Sequence, residues 1–161
     1  MSRYNPECTI CDIISDPEKS RLDVRLFQDE LRDTAWRAVL MTDQGAIGAT
    51  YITTERHCPD IDELTRREWD ELYDITKLLS HVIKSEFNPR HMTLSCDMAD
   101  ADRDNIEPHV HFKLRGRGAP TTSVGREAFS DSRFGEKYVE PHKVGREVLL
   151  FIREKLESTD L

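Results

Sequence analysis

The chain has 161 residues and a formal net charge of -8, a length that suits one domain with a core of its own. So acidic a balance argues against general nucleic-acid binding, which carries a basic footprint. No run reaches the roughly eighteen apolar residues of a membrane span. Met1 to Pro6 also lacks the apolar stretch of a secretory signal, which points to the cytoplasm, where disulfides are rare.

The four cysteines are Cys8, Cys11, Cys58 and Cys96. Cys8-Thr9-Ile10-Cys11 fits either a metal half-site or a redox pair. A redox pair usually lies between a strand and a helix, whereas this one lies close to the start of the chain. Metal is therefore the better reading, and it requires two further ligands. Ile10, Ile13 and Ile14 are placed to pin the cysteine segment to the body. Asp16 to Ser20 has turn composition, and Val24 to Phe27 suits a short edge strand. Trp36 to Met41 and Ile47 to Thr53 predict two strands joined through Thr42-Asp43-Gln44-Gly45, a hairpin with a longer loop.

Thr65-Arg66-Arg67-Glu68 matches a capping box, with Leu64 and Trp69 at the positions of a hydrophobic staple. Trp69, Leu72, Tyr73, Thr76, Leu79, Ile83 and Phe87 then recur at helical spacing, and the tryptophan and tyrosine are expected in the core. The helix should stop before Asn88-Pro89, because the residue before proline disfavours helix. His91 to Cys96 predicts a strand and Asp97 to Glu107 an acidic loop. Residues 116–140 suggest a long connection carrying Arg126, Arg133 and Lys137. Pro141 to Leu156 suggests a last helix that buries Val144, Val148, Phe151, Ile152 and Leu156.

Between the acidic loop and that connection, Pro108 to Arg117 alternates polar and apolar residues, the period of a half-buried strand. His109, His111 and Lys113 share one face, about 7 Å apart by the rise per residue. Val110, Phe112 and Leu114 point to the other. Two imidazoles and an ammonium make a ledge suited to an anionic substrate, and Arg115 and Arg117 extend a local positive cluster. A sheet with one solvated face would also tolerate these residues.

Taken in order, Cys8-x-x-Cys11-Asp12-Ile13-Ile14, the strand pair ending in Glu55-Arg56-His57, the long helix and Pro108-His109-Val110-His111-Phe112 resemble the histidine-triad (HIT) superfamily of nucleotide hydrolases and transferases. The resemblance runs from about Cys8 to Arg117, and Asp131 to Gly135 resembles a segment of some bacterial members. It implies an α+β fold in one domain over residues 1–161, with a core over about 8–117 and an extension over 118–161. That fold is an antiparallel sheet of about five strands with one long helix packed across it, followed here by the C-terminal helix. It also implies a homodimer that acts on a nucleotide, with neither nucleic acid nor membrane as partner. By the same resemblance His111 attacks the α-phosphorus, giving a nucleotidyl-histidine intermediate, and Lys113 takes the third triad position. Cys8, Cys11, His57 and His109 match the ligands of zinc-bearing members, a tetrahedral set suited to a structural Zn²⁺.

The chain departs from the family pattern at several positions. Lysine at 113 can neutralise phosphate but, when protonated, accepts no hydrogen bond. The hairpin carries Gly48-Ala49 where the family has a histidine, and Asn105-Ile106-Glu107 replaces the small polar donors before the triad. Asn105 and Asp43 are carried over as substrate contacts, although Asp43 fits an ordinary turn aspartate equally well. Cys58 and Cys96 have no family role. Two functions follow from these expectations. One is a hydrolase or nucleotidyltransferase acting on a dinucleoside polyphosphate or nucleoside phosphoramidate. The other is a zinc-stabilised nucleotide-binding or interaction module with little catalytic activity. A catalytic metal fits less well, since four protein ligands leave no open position.

Overall fold

The protein is described by a computed structural model over residues 4–20 and 23–159; Met1, Ser2 and Arg3 of the N-terminal segment lie outside it. Helix α1 (Thr9–Ser15) is capped by Cys8, whose Sγ accepts the Cys11 backbone N–H at 3.4 Å. A second short helix, α2 (Pro17–Ser20), stands where a turn was expected. Asp16 explains it, because its Oδ1 accepts the backbone N–H of Glu18 at 2.9 Å and of Lys19 at 3.4 Å. Proline then opens the helix where a missing N–H leaves nothing unsatisfied.

Five strands form one sheet: β1 (Arg25–Leu26), β2 (Trp36–Leu40), β3 (Thr50–Thr54), β4 (His91–Ser95) and β5 (His111–Arg117), in the order β1-β2-β3-β5-β4. Every neighbouring pair is antiparallel. The β2–β3 hairpin runs from Trp36↔Thr54 to Leu40↔Thr50. β3 begins later than the sequence suggests because its approach is a built turn. Fully buried Gln44 donates to the carbonyls of Met41 and Ala49 and accepts the Gly48 N–H. Gly48 has φ +80, and a Cβ there would press on Ile83 and Phe87.

Helix α3 (Arg66–Phe87) carries the chain from β3 to the opposite sheet edge at β4. It buries Leu72, Ile75, Leu79, Val82, Ile83 and Phe87 in the core that holds Trp36, Ile52, Phe112 and Leu114. The expected stripe is one residue out of phase at Tyr73, which is 66% exposed, while Trp69 is 42% exposed. Each residue advances about 100° round a helix, so Leu72 facing inward turns Tyr73 toward solvent.

The capping box is present, and Glu68 does more than cap. It accepts the Thr65 N–H at 2.7 Å and a two-pronged Arg56 guanidinium at 2.7 and 3.0 Å. The Arg56 bonds hold its carboxyl down at about 2, against the opposing effect of burial. A carboxyl depressed in the folded state stabilises fully above its ordinary value of 4.5, and loses that contribution as pH falls toward about 2. Urea titrations should show wild type weakening through this window, with Glu68→Gln already weak at pH 7 and showing less of that fall.

Two connections turned out to be structured. The acidic stretch holds helix α4 (Asp100–Asp104), ended by Asn105 in the left-handed region at φ 51, which asparagine tolerates. The long connection contains a hairpin of β6 (Thr122–Val124) and β7 (Glu127–Phe129), joined by Gly125-Arg126. Gly125 supplies the positive φ, +61, that such a two-residue turn requires. Helix α5 (Arg146–Glu157) starts later than predicted because the residues before it bond to the β2–β3 turn: Gln44 N–H to His142 O at 2.8 Å, and Val144 N–H to Thr42 O at 3.0 Å. α5 buries Leu149, Ile152 and Leu156, whereas Phe151 is 44% exposed. Buried core residues run from Val24 to Leu156. Among the described residues no helix is long and apolar enough to cross a membrane.

Candidate active site and metal centre

The face of the sheet away from α3 carries the candidate site. The registers Arg37↔Thr53↔His111 and Val39↔Tyr51↔Lys113 define two rows across β2, β3 and β5. These six side chains line a cavity of about 430 Å³, within the range of small-molecule sites. Ile10, Ile13 and Ile14 of α1 wall one part of it, and Met98, Asp100 and Ile106 wall another. Apolar walls beside a polar floor suit a ligand with one flat apolar end and one charged end.

His111 is held by its own backbone neighbour. Its Nδ1 lies 2.9 Å from the His109 carbonyl oxygen, which can only accept, so Nδ1 carries the hydrogen. In the neutral ring Nε2 is then the nitrogen with the lone pair, on a side chain that lines the cavity. The Tyr51 ring packs edge-on against the imidazole, with centroids 5.8 Å apart at 72°.

Lys113, expected at the third triad position to neutralise phosphate, meets two carboxylates. Its Nζ donates to Asp100 Oδ2 at 2.7 Å and lies 3.4 Å from Asp97 Oδ2. Burial lowers the affinity of the ammonium for its proton, but the Asp100 bond and charge outweigh that and raise the pKa above the ordinary lysine value. Arg117 also leaves the expected positive cluster: it is buried, and its guanidinium grips Asp131 at 2.7 and 3.2 Å. Asp131 further accepts the Gly118 N–H at 2.9 Å. Two of the three cations of β5, Lys113 and Arg117, are therefore paired within the fold.

Cys8, Cys11, His57 and His109 converge next to the start of β5, with their ligand atoms all within 4.8 Å of one another. His109 Nδ1 lies 3.3 Å from Cys8 Sγ and 3.6 Å from Cys11 Sγ, and His57 Nδ1 lies 3.4 Å from Cys11 Sγ. A tetrahedral ion with sulfur and nitrogen ligands would set these edges at roughly 3.6 Å. The donors also fit chemically. His109 Nε2 meets the Thr54 carbonyl at 3.0 Å, which leaves Nδ1 aimed at the sulfurs as a lone pair. Burial lowers the His109 pKa to about 4, so its ring stays neutral at pH 7. Burial also pushes the Cys8 thiol up to about 11, so binding a divalent cation here would release its proton. Arg56, anchored on Glu68, donates to the His57 carbonyl at 3.3 Å and so ties the cluster to the start of α3.

Asp43 and Asn105 lie outside the cavity lining, beside Thr42 and Ile106, which belong to it. Asp43 Oδ1 accepts the N–H of Gly45 at 3.0 Å and of His142 at 2.9 Å. Cys58 is fully buried and donates to the Asp60 carbonyl at 3.2 Å; Cys96 is half-buried. Tyr51, Arg37 and the α1 isoleucines were not singled out as site residues from sequence. Tyr51 and Thr53 share strand parity, but only the register shows that they face His111 and Lys113. Arg37 lies almost buried against Glu55, with two bonds of 3.1 Å.

No protein-family model matches the sequence, and no curated protein matches it. Solved structures do. A HIT-like protein from Bartonella henselae, described as involved in cell-cycle regulation, is 13% identical with a TM-score of 0.66, and the match covers 98% of each chain. A zinc-bound histidine triad family protein from Mycobacterium smegmatis is 12% identical over 92% of each chain, with a TM-score of 0.59. A hypothetical histidine triad nucleotide-binding protein from Sulfolobus tokodaii is 20% identical, covering 93% of this chain and 92% of its own, with a TM-score of 0.60.

Proposed function

From the histidine-triad fold that this chain shares, we propose that it is a nucleotide hydrolase or nucleotidyltransferase working at the α-phosphate through His111. One observation carries the reading: His111 donates Nδ1–H to its neighbour's carbonyl and keeps an Nε2 lone pair at a cavity of nucleotide-compatible size. A neutral imidazole is a good nucleophile near pH 7. In the first step Nε2 bonds to phosphorus as the leaving group departs; in the second, water or another acceptor takes the nucleotidyl group and frees the imidazole. The apolar wall of α1 and Val39 would receive the base. Asp43 Oδ1 already serves two backbone donors, so a ribose contact from that residue falls to its other oxygen, and Asn105 would act from the rim.

Cys8, Cys11, His57 and His109 would hold a structural Zn²⁺, whose binding supplies cross-linking energy to the fold. The ligand His109 also gives His111 its hydrogen-bond acceptor, so fixing the one orients the other. A single core from Val24 to Leu156 supports one domain over residues 1–161, and we place the protein in the cytoplasm. β4 is an edge strand with exposed His91, Thr93 and Leu94, a template for pairing with a second copy. Sedimentation should give twice the chain mass; a monomer at tens of micromolar would remove the homodimer.

The test of function is mass spectrometry of protein denatured at alkaline pH, where a phosphorus–nitrogen bond survives, after brief incubation with a dinucleoside polyphosphate or a nucleoside phosphoramidate. The expected result is a nucleotidyl adduct on His111 and a released mononucleotide. Nucleotide binding without adduct or turnover would favour the second reading, a zinc-stabilised binding module. The engagement of Lys113 by Asp100 is the observation on that side.

A further inference from the structure

We propose that Tyr51 is the general acid of this site, donating its phenolic proton to the group that leaves phosphorus; the assignment rests on the hydrolase or transferase reading above. Attack by His111 leaves a second task, since an amine or alkoxide departs slowly unless it is protonated. The side chain at the third triad position is poorly placed to do it. Lys113 has its ammonium bonded to Asp100 at 2.7 Å, with Asp97 at 3.4 Å. A cation stabilised in this way holds its proton.

Tyr51 is directly across the β3–β5 ladder from Lys113 and diagonal to His111. Its ring touches the nucleophile edge-on, and it lines the same cavity. It is half-buried, and among the described residues no hydrogen bond takes up its hydroxyl. A phenol can donate to a leaving group, and the neighbouring Lys113 charge would stabilise the phenolate that results. The balance closes over the cycle. In the first step the His111 Nε2 lone pair forms the bond to phosphorus, the bond to the leaving group breaks, and that group takes the Tyr51 proton. In hydrolysis the phenolate then removes a proton from water as its oxygen bonds to phosphorus and the phosphorus–nitrogen bond breaks. Tyr51 and His111 both return to their starting states. Tyr51 thus takes the proton-transfer work, and Lys113 the charge.

The experiment compares two leaving groups in single-turnover assays of wild type and Tyr51→Phe, which keeps the ring against His111. Adenosine 5′-phosphoramidate must have its nitrogen protonated to lose ammonia. The p-nitrophenyl ester of AMP releases a stable phenolate without a proton. Tyr51→Phe should slow release of ammonia by roughly 100-fold or more beyond its effect on p-nitrophenolate release, the usual scale of general-acid catalysis. Equal loss with both compounds would make Tyr51 a packing residue, and no loss with either would remove it from the reaction; both overturn the proposal while leaving His111 as nucleophile. Failure of wild type to turn over either compound, or the corresponding uridine compounds, would overturn the enzyme reading and the Tyr51 role together.

Discussion

His111→Ala should lose turnover by several orders of magnitude while keeping its fold. The side chain is half-buried and lines the cavity, and it is outside the Cys8, Cys11, His57 and His109 cluster. Its removal therefore leaves the core residues Val110, Phe112 and Leu114 of the same strand in place. Removing a covalent nucleophile abolishes the two-step route and leaves only what positioning and charge supply. Three readouts belong together: steady-state release of mononucleotide, the base-stable, acid-labile nucleotidyl adduct, and the melting temperature. Turnover and adduct should vanish while melting moves little. Turnover equal to wild type would move the chemistry to another group.

The metal prediction has an effect of comparable size, on stability. Protein purified without a histidine tag should contain about one zinc per chain, as one tetrahedral site requires. Cys8→Ser combined with Cys11→Ser should abolish it. Loss of a cross-link worth roughly 3 kcal/mol, the scale of a disulfide, would lower melting of a domain this size by about 6–12 °C. A chelator should reproduce the shift in wild type and do nothing further to the double variant. Metal content unchanged by the two substitutions would separate the cysteines from the site.

Much of this architecture was legible in the residues because it rests on local rules. The Thr65 to Glu68 capping box, the stop before Pro89 and the alternation through His111 are decided within a few residues, and each appears where expected. What escaped depends on partners far away in the chain. Tyr73 faces solvent because the sheet, rather than the helix alone, sets which way α3 is rolled. Arg117 looked like part of a cationic ledge, but Asp131 claims it from the C-terminal connection. Lys113 is likewise taken by Asp100, an acid of the stretch expected as a loop. Charge runs are poor guides when the opposing charge comes from another element. The convergence of Cys8, Cys11, His57 and His109 was anticipated only through the resemblance, since spacing alone does not bring residues 8 and 109 together.

That separation has a consequence for how the molecule assembles. Cys8 and His109 meet across 101 positions of chain, and Cys11 and His57 across 46. Closing a loop of about a hundred residues costs roughly 4 kcal/mol of chain entropy, and α1, with seven residues, is too short to persist alone. The first helix should therefore dock late, after β3 and β5 have paired and offered it both histidines. Because α1 also brings Ile10, Ile13 and Ile14 to the cavity wall, an ion captured by the cysteines would complete the fold and the binding cavity in one step. A chain caught before that step would have β5 paired and its pocket still open on one side.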